Sequence, residues 1–156
     1  AGFTRLTEEE GDLEAVSVVE RFFEQVEQSL PEDARVIKTI GDEVMVVGSD
    51  AGKLLDWAVT FQGQRDERPL PRIGVHSGPA IFRDGDYYGG EINRAARIVT
   101  RGAGGEVVVT GTLRDAAQLR SFELQSIGSV RLKGFERAEE LFVVRRAAGE
   151  DADGSW

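Results

Sequence analysis

The sequence predicts an α+β sandwich, and three observations predict it. An amphipathic helical stripe, a β-hairpin and a second helical stretch follow one another between Leu13 and Phe61. Short strands and short helices then alternate, and the last strands follow one another directly. Helices interleaved with hairpins, rather than strict strand–helix–strand alternation, set the chain apart from parallel α/β folds.

The first helix is carried by Leu13, Val16, Val19, Phe22, Phe23, Val26 and Leu30, which recur at helical spacing, and Pro31 ends it. That stripe is expected to be core. Residues 35–40 read as a strand, Gly41-Asp42 as a tight turn and residues 43–47 as the returning strand, because Gly-Asp between two β-branched runs signals a hairpin. Leu54, Leu55, Ala58, Val59 and Phe61 mark the second helix, followed by a polar loop over 63–68. Residues 72–76 form a strand broken by Ser77-Gly78-Pro79, and a short helix over 93–100 stops near Gly102. A strand over 106–110 and a helix over 112–119 come next, then late strands over 122–127, 129–132 and 140–144. Residues 147–156 are small and acidic with little to bury, and read as a disordered tail. The order is that of a ferredoxin-like βαββαβ core with additional C-terminal strands.

Composition narrows the function classes. At 156 residues the chain fits one domain with an ordinary core. A formal net charge of -9 argues against a broad electrostatic nucleic-acid surface. The chain has no cysteine, so it has neither disulfides nor thiol ligands, and a reducing cytoplasm fits. No apolar run approaches a membrane span and no signal peptide is visible, so no membrane contact is expected from this chain.

The chemistry concentrates in residues 86–97, Asp-Tyr-Tyr-Gly-Gly-Glu-Ile-Asn-Arg-Ala-Ala-Arg. Asn93 and Arg97 are four apart, so a helix starting near Glu91 aims both along one face. Asp86 lies just upstream, on the loop or strand that feeds this helix. One group can read a donor, one can orient an ether or hydroxyl oxygen, and one can neutralise phosphate charge. In the hairpin, Asp42 either serves the turn or presents a fixed carboxylate to a hard divalent cation. His76, the only histidine, lies in an apolar strand and reads as structural.

Together these pieces resemble the class III nucleotidyl cyclases, the catalytic domain of adenylate and guanylate cyclases. Five blocks carry the resemblance in the family's order: Gly2-Phe3-Thr4, residues 38–45 (Lys-Thr-Ile-Gly-Asp-Glu-Val-Met), residues 72–78 (Arg-Ile-Gly-Val-His-Ser-Gly), Asp86 to Arg97, and residues 131–135 (Arg-Leu-Lys-Gly-Phe). The resemblance implies a cyclase homology domain over residues 1–146. It implies that Asp42 is one of two carboxylates holding a pair of divalent cations, Mg2+ or Mn2+. Lys38 and Asp86 would read the purine, Asn93 would orient the ribose, and Arg97 would stabilise the transition-state phosphate. Lys133 would reach the triphosphate, and Gly2, Phe3 and Thr4 match a loop whose backbone N–H groups cradle phosphates.

Base choice follows from the pair. Asp86 can accept from the exocyclic amine of adenine while Lys38 donates to the ring nitrogen; guanine presents a carbonyl and a ring N–H at those edges. Family members that use GTP are expected to carry a different pair, commonly Glu with Cys or Ser. The resemblance therefore implies an adenylate cyclase that forms cyclic AMP and pyrophosphate by two-metal catalysis. It also implies a homodimer with shared sites, because metal carboxylates and base readers come from opposite subunits. The short segment 80–85 resembles that of a bacterial short-arm subgroup.

One departure stands out. The family's other metal carboxylate sits three residues before the Gly of Gly-Phe-Thr, which falls before Ala1, as does the central strand that carries it. Loss of a central strand would expose a row of unpaired backbone groups, so the sequence is expected to begin inside the domain. The competing expectation is a catalytically inactive, cyclase-like dimerisation or nucleotide-sensing module.

Overall fold

The computed structural model describes residues 12–65, 69–117, 122–131 and 138–146. Helix α1 (Asp12–Ser29) turns Ala15, Val18, Phe22 and Val26 inward, a stripe at spacings of three and four. Leu13 and Val16, expected in the core, are exposed at 87% and 54%. They fall about 200° and 100° from Ala15 on the helical wheel, outside the face that packs. Phe22, Val26 and Phe61 form one cluster, with Val36, Val44 and Val46 laid against it.

Strands β1 (Ala34–Ile40) and β2 (Glu43–Gly48) pair antiparallel about Gly41-Asp42, as the sequence predicts. Gly41 has φ 59°, which a type II′ turn requires at its first central position and which only glycine adopts cheaply. Asp33 Oδ2 accepts from the backbone N–H groups of Ser49 and Asp50, and Asp50 caps α2 (Ala51–Gln64) by accepting from Lys53 N–H at 3.0 Å.

Strand β3 (Ile73–Val75) pairs parallel with β6 (Val107–Thr110); β6 pairs antiparallel with β8 (Glu139–Arg146), and β8 with β7 (Phe122–Val130). Every residue of β6 is buried, because both faces of this sheet are covered. On one face, Leu55 and Ala58 of α2 and Leu113 of α4 (Gly111–Ala117) pack on Val75, Val107, Val109, Phe142 and Val144. On the other, Ile98 of α3 (Gly90–Ile98) packs on Val108, Leu141 and Val143. A 3-10 turn (Val99–Arg101) ends α3. This is the expected α+β sandwich. Among the described residues no helix is long and apolar enough to cross a membrane.

Two local expectations are corrected. Residues 122–130 form one strand, not two, and the pairing with β8 continues past a register shift between Ser126 and Gly128. Gly128, at φ 101°, absorbs one extra residue as a bulge, so a signal that reads as a break bends the strand without ending it. Residues 81–88 are a second hairpin, β4 (Ile81–Arg83) and β5 (Asp86–Tyr88), closed by Asp84 at φ 54° and Gly85 at φ 79°. Positive φ at both central residues defines a type I′ turn. Thr7 and Glu10, a capping-box pattern, and the tail at 147–156 lie outside the described residues.

Gly74 lets the α3 end of the chain settle onto β3: an added Cβ would meet the backbone N and Cα of Val99 at 2.9 Å. Gly63, in α2, has nothing within 4 Å of that position. Gly74→Ala should therefore destabilise the domain by about 1–3 kcal/mol through overpacking against backbone that cannot step aside. Gly63→Ala should stabilise it by about 0.5–1 kcal/mol through helix propensity. Urea unfolding of the two variants checks the opposite signs.

Candidate active site

Strand β1 would point Lys38 into the core if its alternation were regular, because Val36, two residues earlier, packs inward. The register shift between Val36 and Lys38 prevents this: Val36 faces Val46, but Lys38 faces Met45. The extra residue, Ile37, moves Lys38 to the face that Arg35 already occupies. There its ammonium meets Asp86 at the start of β5, with Nζ donating to Oδ2 at 2.8 Å. The pair is partly open, with side chains 39% and 23% exposed.

Arg35 reinforces the same junction. Its guanidinium lies 5.4 Å from the Phe82 ring centroid, and Nη2 donates to the Tyr87 hydroxyl at 3.4 Å. The β1–β2 and β4–β5 hairpins are thus tied together by an ion pair and a cation–π contact at neighbouring positions.

The remaining oxygen of Asp86, Oδ1, accepts from the backbone N–H of Tyr87 at 2.8 Å. The Lys38 hydrogen bond first, and the Tyr87 N–H second, hold the Asp86 carboxyl below its ordinary 3.8. Both sides of the carboxylate are therefore fixed before any ligand arrives.

After β5 the chain reverses at Gly89, φ 140°, and enters α3 at Gly90. Asn93 is exposed and Arg97, one turn on, is half-buried. Asp42 sits half-buried on the β1–β2 turn. The structure thus brings Lys38 and Asp86 into contact, places Asn93 and Arg97 on the helix that follows Asp86, and leaves Asp42 at the adjacent hairpin tip. Gly2, Phe3, Thr4 and Lys133 lie outside the described residues.

A further cluster lies beneath α3. The side chain of His76 is 3% exposed; Nδ1 is 2.7 Å from Thr110 Oγ1, and Nε2 contacts Glu91 Oε2. Glu91 Oε1 accepts from Arg94 Nη1. His76, expected in the strand, lies one residue past the end of β3, buried and hydrogen-bonded. The role of Glu91 was hidden, because an acid in a helix's first turn is already explained by the macrodipole.

The family model for the adenylate and guanylate cyclase catalytic domain matches residues 1–146. The chain belongs to that family. It is 37% identical over 125 residues to a pH-sensitive adenylate cyclase of Mycobacterium tuberculosis, covering 76% of this chain and 32% of that protein. An adenylate cyclase of Streptomyces griseus is 32% identical over 114 residues, covering 70% of this chain and 29% of that protein. The chain thus spans about a third of the length of these curated relatives. In fold it matches the adenylyl cyclase CyaB of P. aeruginosa at a TM-score of 0.74 and 20% identity, covering 94% of this chain and 89% of that one. The guanylyl cyclase Cya2 matches at 0.75 and 20% identity, covering 94% and 88%.

Cyclases of this family generally use divalent cations, and Asp42 has the right donor chemistry: a hard carboxylate oxygen on a turn whose backbone is fixed by Gly41. Mg2+ is ordinarily held by one or two carboxylates together with substrate phosphates. Among the described residues no group of three or more His, Cys, Asp or Glu converges on one point. Asp42 therefore fits as one member of a set that a triphosphate would help complete.

The lowered pKa of Asp86 fixes a pH sign. A carboxylate held below 3.8 contributes stability that is present above 3.8 and is lost as pH falls through the lowered folded value. An NMR titration of the Asp86 carboxyl should give a midpoint below 3.8, and Lys38→Met should move that midpoint upward. An unmoved midpoint would show that Tyr87 N–H, not Lys38, sets it.

Proposed function

We propose that this domain is an adenylate cyclase converting ATP to 3′,5′-cyclic AMP and pyrophosphate at a site shared by two copies of the chain. The observation that carries the reading is the fixed Lys38–Asp86 pair. Asp86 keeps a lone pair for the exocyclic amine of adenine, and Lys38 keeps N–H donors for the ring nitrogen. Both partners are half-open, so a purine can reach them without breaking the bond between them. Guanine would set a carbonyl against the carboxylate, and mismatched buried groups of this kind discriminate strongly.

In the reaction the ribose 3′-oxygen attacks the α-phosphorus, the new P–O bond closes the ring, the hydroxyl proton is released and pyrophosphate leaves. Asn93 orients the ribose oxygen, and Arg97 offers fixed positive charge to the phosphate oxygens as they gain charge. Asp42 is the candidate ligand for divalent cations, whose chemistry here is Lewis-acid activation of the attacking hydroxyl and charge neutralisation on the triphosphate. No protein base is needed, which suits a histidine committed to Thr110 and Glu91.

The dimer is supported by the hairpins. Ile81, Phe82 and Tyr88 on β4–β5 and Ile40 at the end of β1 are exposed at 67%, 54%, 52% and 60%. Large apolar side chains at the rim of a charged site suit a second copy better than water.

Cyclic AMP formation from ATP and Mn2+ by the full-length protein, measured across enzyme concentration, tests this reading. Activity should rise more steeply than linearly where the dimer assembles; ATP binding without turnover would favour the inactive module. Arg97→Ala should lower kcat by about 10²–10³-fold with little change in KM. Lys38→Glu with Asp86→Cys should shift preference from ATP to GTP, and an unchanged preference would sink the base-reading assignment.

A further inference from the structure

Deep under α3 a hydrogen-bond chain runs through groups that the proposed chemistry does not use. Thr110 is fully buried, and its Oγ1 accepts from Leu113 N–H at 3.1 Å, capping α4. The hydroxyl has one proton of its own, and His76 Nδ1 lies 2.7 Å away. If Thr110 donates to Nδ1, the imidazole carries its hydrogen on Nε2, which faces the Glu91 carboxylate. Glu91 in turn is bound by Arg94, one turn along the same helix. Each member's donor or acceptor is met by the next.

Sequence and packing both make room for this chain. Gly78 follows β3, and a Cβ there would meet Glu91 Cγ and Oε2 at 2.5 Å. A side chain at residue 78 would take up the space through which Glu91 reaches the buried imidazole. Asn93 and Arg97 follow Glu91 by two and six positions on α3, so a rotation or slide of its first turn displaces both.

We propose that His76 and Glu91 are positioning residues: the Thr110–His76–Glu91 chain, braced by Arg94, locks the first turn of α3 so that Asn93 and Arg97 meet the substrate in register. The inference rests on the cyclase reading of that helix. It assigns His76 neither proton transfer nor metal binding, and it makes Gly78 a clearance that the lock requires.

The test combines kinetics with amide hydrogen exchange on the full-length protein. Glu91→Ala should lower kcat by about 10–100-fold, the cost of misplacing catalytic groups by about 1 Å, with KM little changed. Glu91→Gln, whose amide oxygen still accepts from Nε2–H, should recover most of the loss, and Gly78→Ala should reproduce it. In an Asn93→Ala, Arg97→Ala background, Glu91→Ala should cost less than about threefold, since both groups being positioned are gone. Exchange should quicken in α3 and stay unchanged in α2.

Full additivity with the Asn93→Ala, Arg97→Ala double variant, or unaltered exchange in α3, would overturn the proposal, as would failure of the Gln variant to recover activity. If the unmodified protein makes no cyclic nucleotide, the cyclase reading falls. Exchange in Glu91→Ala, Glu91→Gln and Gly78→Ala then decides the lock by itself: faster exchange confined to α3 and reversed by Gln supports it, and any other pattern overturns it.

Discussion

The parallel register of β3 with β6 is the constraint on which the rest of the arrangement depends. Val75 stands opposite Val109, so one residue further His76 comes beside Thr110 as both strands end. Two residues before His76, Gly74 admits Val99 against the strand. A single register therefore fixes both ends of α3, the first turn through His76 and Glu91 and the last through Val99. A one-residue slip would exchange the sheet's faces, burying the polar chain among Leu55, Ala58 and Leu113, where it has no partners. The apolar contacts that hold β6 on both faces thus also specify where α3 lies.

The acidic balance of the chain makes the placement of its cations informative. With 28 acidic against 19 basic side chains, a triphosphate is repelled by the protein as a whole. Binding then depends on cations held locally. Lys38 is brought to its carboxylate partner by one inserted strand residue, and Arg97 is carried on a helix anchored from beneath. The Lys38–Asp86 bond also joins two hairpins that share no backbone ladder. On the proposed reading, substrate recognition and the seam between the hairpins rest on the same bond, so a change made to alter base selection also loosens the seam.

Much of this was legible in the sequence, and the misses have physical causes. The Gly41-Asp42 turn was readable because two β-branched runs flank it and its glycine supplies the positive φ that a tight hairpin turn needs. The equivalent signal at Asp84-Gly85 is fainter, since the flanking Ile-Phe-Arg and Asp-Tyr-Tyr runs are only three residues each. Gly128 imitated a strand end because a bulge and a break draw on the same residue. The Lys38–Asp86 pairing came from the resemblance and not from spacing, and no periodicity rule foresees a bulge at Ile37. Leu13 and Val16 show the reverse: they are hydrophobic and sit near a helical stripe, yet they lie outside its arc and stay exposed.

Glu91 shows why a correct local explanation can hide a tertiary one. A carboxylate in a helix's first turn gains about 0.3–1 kcal/mol from the dipole, which is enough to explain its presence on a surface. Leaving a buried imidazole N–H without an acceptor costs about 1–3 kcal/mol, so in this setting the histidine contact outweighs the dipole. That contact also carries direction. A macrodipole accepts an acid anywhere around the first turn, whereas a hydrogen bond to a ring 3% exposed accepts it at one angle only. Rotational freedom about the axis of α3 is what most threatens a pair such as Asn93 and Arg97, whose proposed roles depend on the direction in which they point. Short helices with little buried surface lack the packing to suppress it, and α3 buries only Ile98 completely. An anchored carboxylate at one end and a glycine-seated turn at the other supply the restraint that apolar packing alone leaves undone.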